Sequence, residues 1–164
     1  MLKSFPPVVG PQTRILIVGS MPGQASLDAQ QYYAHPRNQF WRIIFDVFEG
    51  GRTPQNYADK KAVILKHGLG LWDSLAACRR TGSLDADITH QTPNNFPALL
   101  RRFPHIHTLL FNGAAAFTFY KRAFGLPPCT FFQLPSTSPA HASRSYEDKK
   151  ALWKAARQRA QILQ

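Results

Sequence analysis

A chain of 164 residues with 44% hydrophobic content is long enough for one domain with a full core. No stretch approaches the roughly 20 apolar residues of a membrane span. Twenty Lys and Arg against nine Asp and Glu leave a net charge of +11, a field that favours a polyanionic partner or simply keeps a basic protein in solution. The first ten residues show no apolar secretory segment. Cys78 and Cys129 form neither a CxxC pair nor a zinc-spaced set with His, so both are expected as reduced thiols in a cytoplasmic protein. No structural metal is expected.

Residues 14–18 (Arg-Ile-Leu-Ile-Val) read as a buried strand stopped by Gly19. Residues 20–37 lack apolar periodicity and read as a long functional loop. Phe40, Ile43, Ile44, Val47 and Phe48 fall at helical spacing, ended by Gly50 and Gly51. Thr53-Pro54 reads as an N-cap with Pro at the first helical position. That helix is predicted to run to about Lys66 and stop at Gly68.

Leu69 to Leu75 reads as a short second strand, and residues 76–93 as polar and irregular. A helix near 95–103 precedes a strand over Ile106–Phe111. Gly113 and its three alanines open another helix ending near Gly125, and Thr130–Leu134 is the next strand. Ser145, with Asp148 three residues on, marks the start of a last helix reaching about Leu163. The sum is an α/β chain: a three-layer α/β/α sandwich with a central, mostly parallel four-stranded sheet. No repeat or linker divides it, so residues 1–164 read as a single domain.

In such folds, loops at the carboxyl ends of strands build the ligand crevice. Three segments stand out. Gly19-Ser20-Met21-Pro22-Gly23 follows the first strand. Glycines there let a ligand approach the backbone N–H groups, but the run is neither GxGxxG nor a P-loop and also fits an ordinary turn. Tyr32-Tyr33-Ala-His35-Pro-Arg37-Asn38-Gln-Phe40-Trp41 follows. Asn38 sits where Asn caps helices well, and the other reading is an amide that orients a water. Tyr32, Tyr33, Phe40 and Trp41 offer faces for a base, or core. His35 is either a contact or proton donor or a bystander.

Leu134-Pro135-Ser136-Thr137-Ser138-Pro139-Ala140-His141 is the third segment. Hydroxyls and backbone N–H groups hold phosphates, and two prolines stiffen a loop that enters a groove. The alternative is a Pro-rich surface loop. Ser138 lacks the GxSxG elbow of a hydrolase nucleophile. Asp73 is a carboxylate at a strand end, with a helix cap as the favoured reading. Asn112 lies at another strand end, placed for a ligand or to cap the next helix.

These three segments, with Gly70-Leu-Trp-Asp73 and Phe111-Asn-Gly113, resemble the uracil-DNA glycosylase superfamily, most closely its hypoxanthine-DNA glycosylase branch. The resemblance implies a monofunctional enzyme without cofactor. It would flip deaminated bases (hypoxanthine, then uracil) out of DNA and hydrolyse the N-glycosidic bond, initiating base excision repair. It assigns Asn38 as the catalytic amide. It places Gly19, Ser20, Met21, Pro22, Gly23, Tyr33, Phe40 and Asn112 around the base. It puts His35, Arg37 and Pro135, Ser136, Thr137, Ser138, Pro139, Ala140 and His141 on the DNA. No lysine falls in the motifs, so no Schiff base or strand nicking is implied. A monomer in the cytoplasm, at the nucleoid, acting on DNA that contains a deaminated base and on no membrane, is the expected setting. A uracil or thymine mismatch enzyme, a DNA-binding module without catalysis and a nucleotide hydrolase are the alternatives.

Overall fold

The computed structural model describes residues 1–54 and 56–162. Its centre is a fully parallel sheet ordered β3-β2-β6-β7, with β2 at Ile15–Gly19, β3 at Leu69–Asp73, β6 at Thr108–Asn112 and β7 at Thr130–Leu134. β1 is the short Leu2–Lys3. β2, β3 and β6 are buried end to end, which is why they read as continuous apolar runs without alternation.

Successive residues of β2 point to opposite layers. Ile15 and Ile17 pack with Phe40, Ile43, Ile44, Ile64 and Trp153, which come from α2 (Phe40–Phe48), α3 (Tyr57–Lys66) and α6 (Tyr146–Ile162). Leu16 and Val18 pack with Phe96, Leu99, Ala116 and Tyr120, from α4 (Phe96–Arg102) and α5 (Ala114–Phe124). The three-layer α/β/α reading therefore holds.

Several local expectations hold and others fail. Ser145 accepts a hydrogen bond from the Asp148 N–H at 3.1 Å, as the capping pattern requires; the predicted last residue of α6, Leu163, lies outside the described residues. Helix α3 is not capped by Thr53. It begins at Tyr57, and the Asn56 side chain accepts from the Asp59 N–H at 2.8 Å. The loop over 20–37 contains a short helix, α1 (Gln24–Ala29). The expected second strand breaks at Ser74, whose N–H donates to the Gly19 carbonyl at 2.7 Å.

The larger correction concerns residues 76–93. They form β4 (Leu75–Arg79) and β5 (Thr89–Pro93), which with β1 make a second, antiparallel sheet ordered β1-β4-β5. β5 lies largely exposed and reads Thr-His-Gln-Thr-Pro, and its pairing with β4 is interrupted by register shifts. An exposed, bulged strand carries no apolar periodicity to read. Its connection to β4 spans residues 80–88 and crosses the carboxyl ends of β2 and β3.

Candidate active site

The carboxyl ends of β2, β3 and β6 open into a cleft of about 130 Å³, several times the space that one water needs. Its walls come from all three sequence segments. Gly19 to Gly23 form one side. Tyr33, His35 and Asn38 form the second, and Ser136, Thr137, Ser138 and Pro139 the third. Asn112 closes the floor with Asp73, and Ser83 and Asp85 close the side of the 80–88 connection.

The turn after β2 is pinned from behind. Its Gly19 and Ser20 carbonyls accept from the N–H groups of Ser74 and Leu75. Arg80 donates to the Pro22 carbonyl at 2.6 Å, Ser20 donates to Asp85 Oδ1 at 2.7 Å, and the Gln24 N–H donates to Ser83 Oγ at 2.9 Å. Met21 is buried with Leu75, Cys78, Ile88 and Phe119. At Gly19 a Cβ would press into Asp73 Oδ1 and stand 3.0 Å from the Tyr33 hydroxyl. The glycine is thus what lets two polar side chains crowd the strand end.

Tyr33 holds φ of +55°, the left-handed region that bulky residues rarely occupy. Such strain concentrates at functional sites. Its ring stacks on Phe40 at 3.9 Å and 25°, so it presents a rigid aromatic face. Phe40 itself is fully buried in the core. The expectation that Phe40 lines the pocket is therefore corrected: as the first residue of α2, its side chain turns inward and backs Tyr33.

Asn38 stands one residue before Gln39, the N-cap residue of α2, and lines the cleft. Its Oδ1 accepts from the Phe40 N–H at 2.9 Å, and its own N–H donates to the His35 carbonyl at 2.9 Å. The amide plane is therefore fixed. Two Nδ2 hydrogens and one Oδ1 lone pair remain for a ligand or water. His35 accepts from the Arg37 N–H through Nδ1 at 3.0 Å, so its neutral form carries the proton on Nε2. Arg37 is exposed and stands outside the cleft lining.

The third segment is tied to β6 by a reciprocal clamp. Asn112 Oδ1 accepts from the Thr137 N–H at 3.0 Å, and Asn112 Nδ2 donates to Thr137 Oγ1 at 3.0 Å. The Thr137 carbonyl accepts from the Gln39 N–H at 3.0 Å. Thr137 is 1% exposed, so it is a strut and not the phosphate contact expected of it. Asn112 reaches the cleft, but much of its amide is committed to this clamp. Gly113, the N-cap residue of α5, has φ of +98°, and a Cβ there would stand 3.0 Å from Ser136 Cβ. Ser136 and Ser138 accept from the backbone N–H groups of Ser138 and Ala140, which leaves their hydroxyl hydrogens to donate. Pro135, Ala140 and His141 stand outside the lining. The His141 carbonyl takes a hydrogen bond from the buried Lys149 of α6.

Asp73 stands at the strand end where the sequence puts it, but not in the role favoured for it. No helix follows it, so the capping role falls away. It is 3% exposed on the cleft floor, and its Oδ2 has no hydrogen-bond partner. Burial is the main cause that pushes its carboxyl up to about 7; the nearby Asp85 adds to this, and Arg80 opposes it. Burial, and next Asp73, raise the pKa of the Tyr33 hydroxyl, while the Asn112 side chain opposes them. Asp85, Ser83 and Arg80 were missed, because they belong to the segment that looked irregular. Among the described residues no group of His, Cys, Asp and Glu has the arrangement to hold a metal ion.

A basic α/β protein with a base-sized cleft at its strand ends, an aromatic face and a fixed amide defines a class: proteins that take a nucleobase between two loops. The comparisons give that class its family. A model of the uracil DNA glycosylase superfamily matches residues 6–160, and the chain belongs to that superfamily. It is similar to a hypoxanthine DNA glycosylase of Methanosarcina acetivorans, 36% identical over 155 residues, which span 93% of this chain and 96% of that one. It is also similar to a hypoxanthine DNA glycosylase of Methanosarcina barkeri, 37% identical over 111 residues, or 68% and 70% of the two chains. The solution NMR structure of a "putative Uracil DNA glycosylase" from Methanosarcina acetivorans superposes with a TM-score of 0.80 at 31% identity, covering 97% of this chain and 98% of that one.

Proposed function

We propose that this protein is a monofunctional DNA glycosylase that draws a deaminated base, hypoxanthine foremost, into the cleft and hydrolyses its N-glycosidic bond. The observation that carries this reading is Asn38: an amide locked by its own backbone bonds opens into the cleft shared by the Gly19–Gly23 turn and the Ser136–Pro139 loop. The family membership and the two relatives named above support the substrate class.

A duplex hides its glycosidic bonds, so the nucleotide must leave the stack at a cost of a few kcal/mol, least for a mispaired or damaged base. Ser136 and Ser138 hydroxyls and the net charge of +11 favour the phosphates. Base stacking on the Tyr33 ring is worth about 1–3 kcal/mol, and that face is already rigid. As the bond breaks, negative charge gathers on the base. In this reading the backbone N–H groups of Ser20, Met21 and Gly23, in a turn held by Arg80 and the β3–β4 backbone, meet that charge. Asn38 is a poor base; it holds the attacking water in line.

The test is base release from duplexes carrying one hypoxanthine, uracil or mismatched thymine, with hot alkali to cut abasic sites. Alkali-dependent cleavage at hypoxanthine is expected. Asn38→Ala is expected to release base about 10²- to 10⁴-fold more slowly while still binding DNA. Equal release by wild type and Asn38→Ala refutes the role of Asn38. No release from any duplex, with tight salt-sensitive binding, refutes the enzyme reading.

A further inference from the structure

We propose that Asp73 is a second catalytic residue: it meets the base at the floor of the cleft as a neutral carboxylic acid and protonates it as it departs. This rests on the glycosylase reading above and adds to it a proton donor that none of the three sequence segments contains.

Three observations place the group. Asp73 ends β3 beside Gly19, and the missing Cβ at Gly19 is what gives its carboxyl room. Asp73 Oδ2 is buried without a partner on the cleft floor. Buried polar atoms are nearly always satisfied, so this orphan marks where a polar atom of a ligand belongs. Third, only Arg80 acts against the raised pKa of the carboxyl, and its guanidinium hydrogen-bonds the Pro22 and Gly82 carbonyls rather than Asp73. Asp85 faces Asp73 as a like charge, although Asp85 accepts from Ser20. The remaining titratable groups around it are phenols: Tyr33, Tyr32 and, at the start of α3, Tyr57. His35 lines the same cleft. A carboxyl so placed keeps its proton near neutral pH, as proton donors buried in active sites do.

The step balances. The C1′–N bond breaks and its electron pair goes to the base. Asp73 gives its proton to a ring nitrogen of that base, which leaves neutral. The water held at Asn38 adds its oxygen to C1′, and the proton that it sheds returns the Asp73 carboxylate to the acid through solvent. The products are the free base and an abasic site, with the enzyme unchanged. No metal or redox partner enters.

The experiment is single-turnover release of hypoxanthine from duplex between pH 5.5 and 9 by wild type, Asp73→Asn and Asp73→Ala. The wild-type rate is expected to fall about tenfold per pH unit above neutrality, as the acid form is lost. Asp73→Asn keeps a hydrogen-bond donor but has no proton to give. It is expected to run about 10²-fold slower than wild type at pH 6 and to lack the alkaline fall, so the two rates converge by pH 9. Duplex affinity and unfolding of Asp73→Asn are measured beside it and are expected to show a folded, binding protein. Wild-type rates in Asp73→Asn at pH 6, or an alkaline fall that survives in it, overturn this proposal alone. A wild type that releases no base at any pH overturns it together with the function on which it rests.

Discussion

Asn112→Ala tests the clamp that carries the second loop. Two buried hydrogen bonds join Asn112 to Thr137, each of 3.0 Å. Deleting the amide leaves the Thr137 N–H buried and unpaired, which costs about 1–3 kcal/mol. Loss of the bond to Thr137 Oγ1 adds about 0.5–1.5 kcal/mol. The variant is therefore expected to lose about 2–4 kcal/mol, or about 5–15 °C in Tm for a chain of this size. Asn112→Asp keeps the acceptor for the N–H, and its loss is expected to be smaller at low pH. Urea unfolding gives the free energies. A cycle with Thr137→Val is expected to show coupling of about 1 kcal/mol, since the two residues touch directly. Because Ser136 to Pro139 hang on this clamp, base release from paired duplex is expected to fall at least tenfold, with less effect on single strands, where no stack has to be opened. Unfolding of Asn112→Ala within about 0.5 kcal/mol of wild type refutes the reasoning, since an unpaired buried amide is not that cheap.

Two further outcomes follow from the packing and the charges. Phe40→Ala removes a fully buried ring and is expected to destabilise by about 3–5 kcal/mol. It also frees Tyr33, so base release should fall even at temperatures where the variant is folded; circular dichroism and base-release assays on the same sample separate the two effects. Asp73 titrates near 7 in the folded protein against an ordinary value of 3.8. Its native state therefore binds the proton more tightly than the unfolded chain, and stability falls as pH rises from about 4 to about 7. Between pH 5 and pH 8 wild type is expected to lose about 2–3 kcal/mol that Asp73→Asn does not lose. Parallel pH–stability curves for the two proteins refute the burial of an ionising carboxyl.

Much of the frame was open to reading in the residues. Ile15–Gly19, Thr108–Asn112 and Thr130–Leu134 announced themselves as strands because burial on both faces demands unbroken apolar side chains. Ser145 disclosed a helix start because its side chain must accept from an N–H three residues on. The glycines of the first loop, the Tyr33–Asn38 run and the Ser136–Pro139 loop were local patterns, and the parallel topology then collects them at one edge. Residues 80–88 and the β4–β5 pair were not open to such reading, since an exposed strand with polar residues imposes no period. Yet that segment supplies Asp85 and Ser83 to the cleft, and Arg80 to hold the turn beside it.

The side chains separated by the chain but joined in space were decided only by tertiary structure. Thr137 looks like any loop threonine until β6 brings Asn112 against it. Phe40 and Tyr33 are both aromatic in one run, and only the φ of +55° at Tyr33 and the inward turn of α2 assign one to the cleft and the other to the core. Asp73 is the sharpest case. As a sequence letter it is an ordinary carboxylate with an ordinary pKa. Its acid character comes from the solvent that the surrounding strands and tyrosines exclude. Desolvation is a property of the packed molecule: local pattern sets which elements form, and the dielectric around a group exists only once those elements have closed upon it.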